Sequence, residues 1–225
     1  MATFTPYTAT LPPKNLTDAI VAPGWLAAMV SALRQDAFVA GRFEATRLNS
    51  PRILRSRPLQ QGDGLQESPF GPGLPHAGAG NLGVHRDVFF AVDGFDPSVG
   101  CLEDTDLCWR IQLTGVPLVF RPEAVVHVRL RSSLRSMWSQ GRAYGEASAL
   151  LTHRYPTTPG LAAPDRRRSP RSTAVAALTL LRQQRTPGAL AWSVGWHVGH
   201  RQRQRRAGSP EPGISAAGSP AADAA

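Results

Sequence analysis

The chain has 225 residues, 42% of them hydrophobic, and carries a formal net charge of +9. One hydrophobic core fits this length, whereas two full domains do not, and the 21 glycines and 20 prolines are too few for a low-complexity polymer. No stretch of about eighteen apolar residues occurs, and no basic residue precedes an apolar run at the N-terminus, so we predict a cytoplasmic protein without a membrane-spanning helix or a secretory signal.

Three elements are predicted in the first third of the chain. Apolar residues recur at helical spacing over residues 23–33, with a proline near the first turn, which indicates an amphipathic helix. Residues 38–43 are typical of a short strand. Residues 50–73 are rich in Pro and Gly and follow neither period, so we predict a long loop of the kind that serves as a lid or binds a ligand.

Helices and strands alternate in the middle of the chain. Residues 88–92 are predicted as a helical turn, and residues 103–113 as a helix that buries Leu107, Cys108 and Ile111 and stops at Gly115. Two apolar runs of strand length follow, residues 116–120 and 124–128. Because strands alternate with helices, we predict an α/β layer fold.

The last helix of the domain is predicted to begin at Ser132. Its expected inward side chains are Leu134, Met137, Trp138 and Tyr144. Breaks in composition then divide the chain into four parts: an N-terminal segment 1–19, a domain 20–156, a basic linker with helical segments 157–207, and a tail 208–225. The tail lacks the apolar residues needed to repay the entropy of ordering, so we predict that it is disordered.

Positive charge is concentrated in the C-terminal part. Residues 129–225 hold fifteen arginines and four acids, whereas residues 1–128 hold nine arginines, one lysine and twelve acids. Indoles stand beside arginines over residues 190–206, which is typical of a helix in peripheral contact with the cytoplasmic face of a membrane, and equally of a helix packed on the domain. One hypothesis is therefore a non-catalytic basic accessory module that binds anionic lipid or nucleic acid; no nucleic-acid-binding signature supports the latter partner.

Three carboxylates, those of Glu103, Asp104 and Asp106, stand at the predicted start of one helix. Unpaired N–H groups and the helix dipole favour negative charge there, so a capping role alone accounts for them. Asp106 can also pair with Arg110, one turn further on. Because a helix turns by about 100° per residue, Asp104 cannot share the face of both neighbours and is free to face a cleft as a general base.

Five short blocks occur in a fixed order between residues 20 and 156. They are Gly78-Ala-Gly-Asn81, Val92-Asp-Gly-Phe-Asp96, Glu103-Asp-Thr-Asp-Leu-Cys-Trp-Arg110, residues 115–122 and Val125-Val-His127. In this order they resemble the C-terminal half of the catalytic domain of family 2 glycosyltransferases. The resemblance implies an incomplete GT-A (Rossmann-like) α/β domain, followed here by C-terminal helices and the tail.

The resemblance also implies a reaction and its residues. A sugar would pass from a nucleotide-sugar donor to a glycan or lipid-linked acceptor with inversion, and Asp104 would deprotonate the acceptor hydroxyl. His127 would join a divalent metal, Mn²⁺ or Mg²⁺, that neutralises the leaving diphosphate. The residues that the resemblance assigns to substrate binding are Gly78, Gly80, Asn81, Glu103 and Arg142, the glycines by close backbone approach, Asn81 by an orienting amide and Arg142 by contact with the diphosphate.

The nucleotide-binding half of the family, and the Asp-x-Asp metal motif that ends it, have no counterpart in this sequence. At the place of that motif Asp18 can stand for the second acid, while Leu16 occupies the position of the first. A leucine offers no lone pair to a hard cation. We therefore expect an N-terminally truncated glycosyltransferase domain, or its remnant, with an unpaired sheet edge. Three outcomes are open for such a chain: it is inert, it needs a partner that supplies the other half, or it is unstable.

Overall fold

The computed structural model describes residues 19–56, 60–155 and 186–208. The N-terminal segment up to Asp18, residues 157–185 of the basic linker and the tail from residue 209 lie outside the described residues. The division of the chain into four parts therefore stays a prediction.

A four-stranded mixed sheet lies at the centre of the fold. Its strands are β1 (Ala19–Val21), β2 (Phe38–Glu44), β3 (Leu82–Val84) and β4 (Val119–Val128), in the spatial order β1-β4-β2-β3. The inner strands β2 and β4 are parallel, and each edge strand is antiparallel to its neighbour. The prediction of an α/β fold is confirmed, and the GT-A arrangement stays a prediction.

β4 unites two apolar runs that the sequence predicted as separate strands. Along β2 the pairing shifts between Gly41, opposite Arg121, and Arg42, opposite Val125. Residues 122–124 therefore form a bulge, where Pro122 has no N–H group to donate to the ladder. The predicted break between residues 120 and 124 was wrong, because the chain passes through the bulge without leaving the strand.

Six α-helices, and one 3₁₀ turn at Ala79–Asn81, occur in the described part of the chain. The α-helices are α1 (Trp25–Leu33), α2 (Pro51–Leu54), α3 (Arg86–Ala91), α4 (Glu103–Leu113), α5 (Leu134–Arg154) and α6 (Pro187–Gly208). The predictions of α1 and α4 are confirmed to within two residues. Gly115 ends α4 as predicted, in a left-handed conformation with φ of 93° that residues with a side chain disfavour.

The two faces of the sheet bury different helices. Phe38 and Ala40 of β2 pack with the predicted inward residues of α4, whereas Val39 packs with α1 on the other side. This division follows from the alternation of side chains along a strand. The inward side chains of α4 are Leu107, Cys108 and Ile111, each at most 1% exposed.

α5 and α6 form a parallel pair with closely spaced backbones. A Cβ atom added to Gly141 would lie 2.1 Å from the carbonyl oxygen of Trp192, and one added to Gly145 would lie 2.0 Å from that of Trp196. From the first contact to the second, the position advances by four residues on each helix, so the two helices run in the same direction. None of the described helices combines the length and the apolarity required to cross a bilayer.

The predicted inward face of α5 was partly wrong. Met137 is buried and Tyr144 is half-buried against the ring of Trp192, but Leu134 and Trp138 are 54% and 38% exposed. The reason is that α5 turns small residues toward α6, so that the two backbones approach more closely than large side chains allow.

Candidate functional site

The carboxylate of Asp104 lies in the first turn of α4. Its Oδ2 accepts a hydrogen bond from the backbone N–H of Ala79 at 3.1 Å, and its Oδ1 accepts one from the N–H of Thr105 at 2.8 Å. Burial raises the pKa of Asp104, although these hydrogen bonds oppose the rise. A partly exposed carboxylate with a raised pKa has the character of a general base.

The glycine-rich segment from Gly78 to Gly80 lies between Asp104 and the ring of Phe43 on β2. A Cβ atom on Gly78 would lie 3.0 Å from Phe43 Cε2 and 3.7 Å from Asp104 Oδ2, and one on Gly80 would lie 3.6 Å from Phe43 Cζ. The structure thus brings Gly78 beside the predicted base, whereas Gly80 lies against the ring of Phe43.

Asn81 is buried and joins three parts of the fold. Its Oδ1 accepts a hydrogen bond from Trp25 Nε1 at 2.8 Å, and its Nδ2 donates to the carbonyl oxygens of Arg42 and Ala124 at 2.9 and 2.8 Å. The side chain therefore holds the bulge of β4 against β2 and α1. Its orienting role toward a ligand stays a prediction.

Glu103 begins α4 immediately before the predicted base. Burial raises the pKa of Glu103, its own backbone N–H opposes the rise, and the negative charge of Asp104 adds to it. Two adjacent carboxyl groups with raised pKa values give this end of α4 a proton-accepting character.

His127 lies near the carboxyl end of β4, directly opposite Glu44 at the end of β2. Its Nδ1 lies 2.6 Å from Glu44 Oε2, and its Nε2 lies 3.2 Å from Arg47 Nη1. Burial by itself raises the pKa of Glu44, but hydrogen bonds from Thr46, His127 and the backbone lower it to about 2. The hydrogen bonds of His127 and of Asp104 thus go to different partners. Both groups nevertheless approach β2 at successive residues: His127 contacts Glu44, and the glycine segment beside Asp104 packs against Phe43.

Arg142 lies on α5, within the helix pair. Its Nη2 is 3.3 Å from Glu146 Oε1, and its guanidinium stands 5.9 Å from the centroid of the Trp138 ring. These partners also belong to α5, so the structure does not bring Arg142 into contact with Asp104 or the glycine segment. Its contact with a diphosphate stays a prediction.

Comparison with known proteins gives one partial likeness. A stretch of 65 residues, 29% of this chain, is 38% identical to the pre-mycofactocin glycosyltransferase of Mycobacterium tuberculosis, in each of two strains. Part of this chain is related to a glycosyltransferase. The match spans only 14% of the length of that enzyme. No family model matches the chain, and no solved structure matches it.

The glycosyltransferase relationship raises the question of a metal ion. Glu44 and His127 are two groups of the kind that hold a divalent cation, but the guanidinium of Arg47 occupies the other ring nitrogen of His127. No group of three or more metal-binding side chains occurs within residues 19–56, 60–155 and 186–208. The expected metal site stays a prediction, because its other expected ligand, Asp18, lies outside the described residues.

Sequence reasoning missed Gln61, in the segment predicted as a loop. Its side chain is buried: Nε2 donates to the carbonyl oxygen of Gly41 at 2.8 Å, and Oε1 accepts from the N–H of Gly78 at 2.7 Å. Gln61 therefore ties the glycine segment beside Asp104 to β2. A glutamine among Pro and Gly has no periodic signal, so no local pattern places it inside the fold.

Proposed function

We propose that this chain carries the acceptor side of a glycosyltransferase site, with Asp104 as its general base. The observation that carries the proposal is the position of Asp104, partly exposed at the start of α4 and hydrogen-bonded to the glycine-rich segment. The partial likeness to a glycosyltransferase supports the same reaction class. The remaining residues of the proposed site are Gly78, Gly80, Glu103 and, toward the carboxyl end of β4, His127.

In the proposed reaction Asp104 accepts the proton of an acceptor hydroxyl. The oxygen forms a bond to the anomeric carbon of the donor sugar while the bond from that carbon to the diphosphate breaks. The nucleoside diphosphate leaves with the electron pair, on the side opposite the attack, so the centre is inverted. We propose a nucleotide sugar as donor and a glycan or lipid-linked hydroxyl as acceptor, in the GT-A arrangement of family 2.

Replacing Asp104 by Asn is expected to lower sugar transfer by a factor of about 10² to 10⁴, because the amide cannot accept the acceptor proton. Nucleotide-sugar binding should be retained, since the amide keeps the shape of the carboxylate. The measurement is release of nucleoside diphosphate by the intact chain across a panel of nucleotide sugars and acceptors, with Mn²⁺ or Mg²⁺ added.

The matched control is Asp63→Asn, because the side chain of Asp63 is fully exposed. Equal rates of nucleoside diphosphate release for wild type, Asp104→Asn and Asp63→Asn would show that Asp104 takes no part in the reaction. If the intact chain neither binds nor turns over any donor, the proposed transferase function fails for this chain.

A second candidate function is binding of an anionic membrane surface. Four arginines at the C-terminal end of α6 are exposed, namely Arg201, Arg203, Arg205 and Arg206. Clusters of this kind attract anionic lipid headgroups with about 1 kcal/mol per basic side chain.

Replacing Arg201 and Arg203 by Gln is therefore expected to weaken binding to phosphatidylserine vesicles about thirtyfold, an effect that salt diminishes. The control replaces two exposed arginines elsewhere, Arg34 and Arg86, by Gln. Equal losses in the two variants would mean that net charge, rather than the end of α6, governs binding.

A further inference from the structure

We propose that His76 is a positioning residue for Asp104 and acts on it through the hydroxyl of Thr105. The inference rests on the proposed function, because it assigns the support of the same carboxylate. The residues involved are Ser68, His76, Thr105 and Asp104, which the fold brings into one line.

The line consists of three contacts between side chains. Ser68 Oγ lies 3.0 Å from His76 Nε2, and His76 Nδ1 lies 3.3 Å from Thr105 Oγ1. Thr105 Oγ1 in turn donates to Asp104 Oδ1 at 3.4 Å. The line therefore ends on one oxygen of the carboxylate and leaves the other, Oδ2, on the side of the glycine segment, where it accepts from Ala79.

The proposed role requires one tautomer of His76. With Thr105 donating its proton to Asp104, the Thr105 oxygen accepts from His76, so Nδ1 of His76 carries the proton. Nε2 then accepts from the hydroxyl of Ser68. Every donor in the line points toward Asp104, an arrangement that stabilises the ionised carboxylate.

The imidazole is enclosed by the fold. His76 is 8% exposed, its ring stands edge-on to that of Trp109 at 6.2 Å, and its backbone exchanges two hydrogen bonds with Gln66. Burial lowers the pKa of His76 to about 4, so the ring is neutral at neutral pH. A neutral ring can accept a hydrogen bond from Ser68 and donate one to Thr105 at the same time. A protonated ring has a proton on both nitrogens and cannot accept the hydrogen bond from Ser68.

Other titratable groups interact electrostatically with Asp104. Glu103 precedes it on α4, and the thiols of Cys101 and Cys108 lie within electrostatic range. Burial raises the pKa of each thiol to about 12, so both stay neutral at neutral pH. Glu103 is therefore the one of these three groups whose ionisation overlaps that of Asp104.

The test uses the intact chain, in which ¹³C-labelled carboxyl groups are titrated by NMR and Asp104 is assigned from its Asn variant. Thr105→Val, which removes the hydroxyl at constant shape, is expected to raise the pKa of Asp104 by about one unit, as loss of a hydrogen bond to a charged group predicts. Thr105→Ser, which retains the hydroxyl, should return the pKa to the wild-type value. An unchanged pKa in folded Thr105→Val would overturn the proposal.

A second measurement needs no variant. The ¹⁵N shifts of His76 in the wild-type chain are expected to show a proton on Nδ1, and a proton on Nε2 would overturn the proposal. Both readouts are independent of turnover. A shifted pKa in Thr105→Val together with a proton on Nδ1 of His76, in a chain without transferase activity, would uphold the positioning role and refute the proposed function. Transferase activity with an unchanged pKa or a proton on Nε2 would do the opposite.

Discussion

Replacing Asp106 by Asn is expected to destabilise the folded chain by about 3 kcal/mol, because it leaves a cationic network without its buried anion. Asp106 is fully buried, and its Oδ2 accepts from Arg110 Nε at 2.7 Å. Its Oδ1 accepts from Arg154 Nη1 at 3.1 Å and from the hydroxyl of Tyr155 at 2.7 Å. An asparagine can still accept at one atom, but its amide N–H₂ group would face either the Arg110 donor or the donors of Arg154 and Tyr155.

The size of this effect follows from the exposure of the partners. The side chains of Arg110 and Arg154 are 23% and 32% exposed, so water reaches both, and Arg154 keeps a second partner in Asp96. We therefore expect the lower end of the range for breaking a buried ion pair. The free energy of unfolding in urea measures it, with the exposed Asp63→Asn variant as control; equal midpoints for both variants would contradict the prediction.

Replacing Gly145 by Leu is expected to detach α6 from α5. The new Cβ would lie 2.0 Å from the carbonyl oxygen of Trp196 and 2.9 Å from the backbone nitrogen of His200, and neither backbone atom can move aside without the whole helix. Overpacking of this kind costs about 1 to 3 kcal/mol. Amide hydrogen exchange in α6 should then accelerate about tenfold or more.

The Gly145→Leu variant also distinguishes the effect of packing between the helices from the effect of helix propensity within α5. Leucine favours a helix over glycine by roughly 0.8 kcal/mol, so α5 itself should become more helical while the pair comes apart. The control is Gly64→Leu, since a Cβ atom at Gly64 would meet nothing within 4 Å. Unchanged exchange in α6 of Gly145→Leu would show that the two helices do not depend on this close approach.

Half of the candidate site could be predicted from local pattern. Asp104 and Glu103 stand out because three carboxylates meet at a helix start, and the Asp106–Arg110 pair, expected one turn apart, is present at 2.7 Å. His76, Thr105 and Ser68 could not be predicted, because His76 and Thr105 are 29 residues apart and a lone buried histidine has no signature in the sequence. The partnership of Glu44 with His127 likewise spans 83 residues and depends on the register of β2 and β4.

The sequence by itself determined α1, α4 and the mixed α/β character of the fold, because apolar spacing, prolines and glycines act on neighbours within a few residues. Only the tertiary structure decided the bulge of β4, the burial of Gln61 and the face of α5 that meets α6. Each depends on which distant surface lies opposite. A glycine on α5 destabilises an isolated helix. It permits close packing only when the backbone of a second helix lies against it.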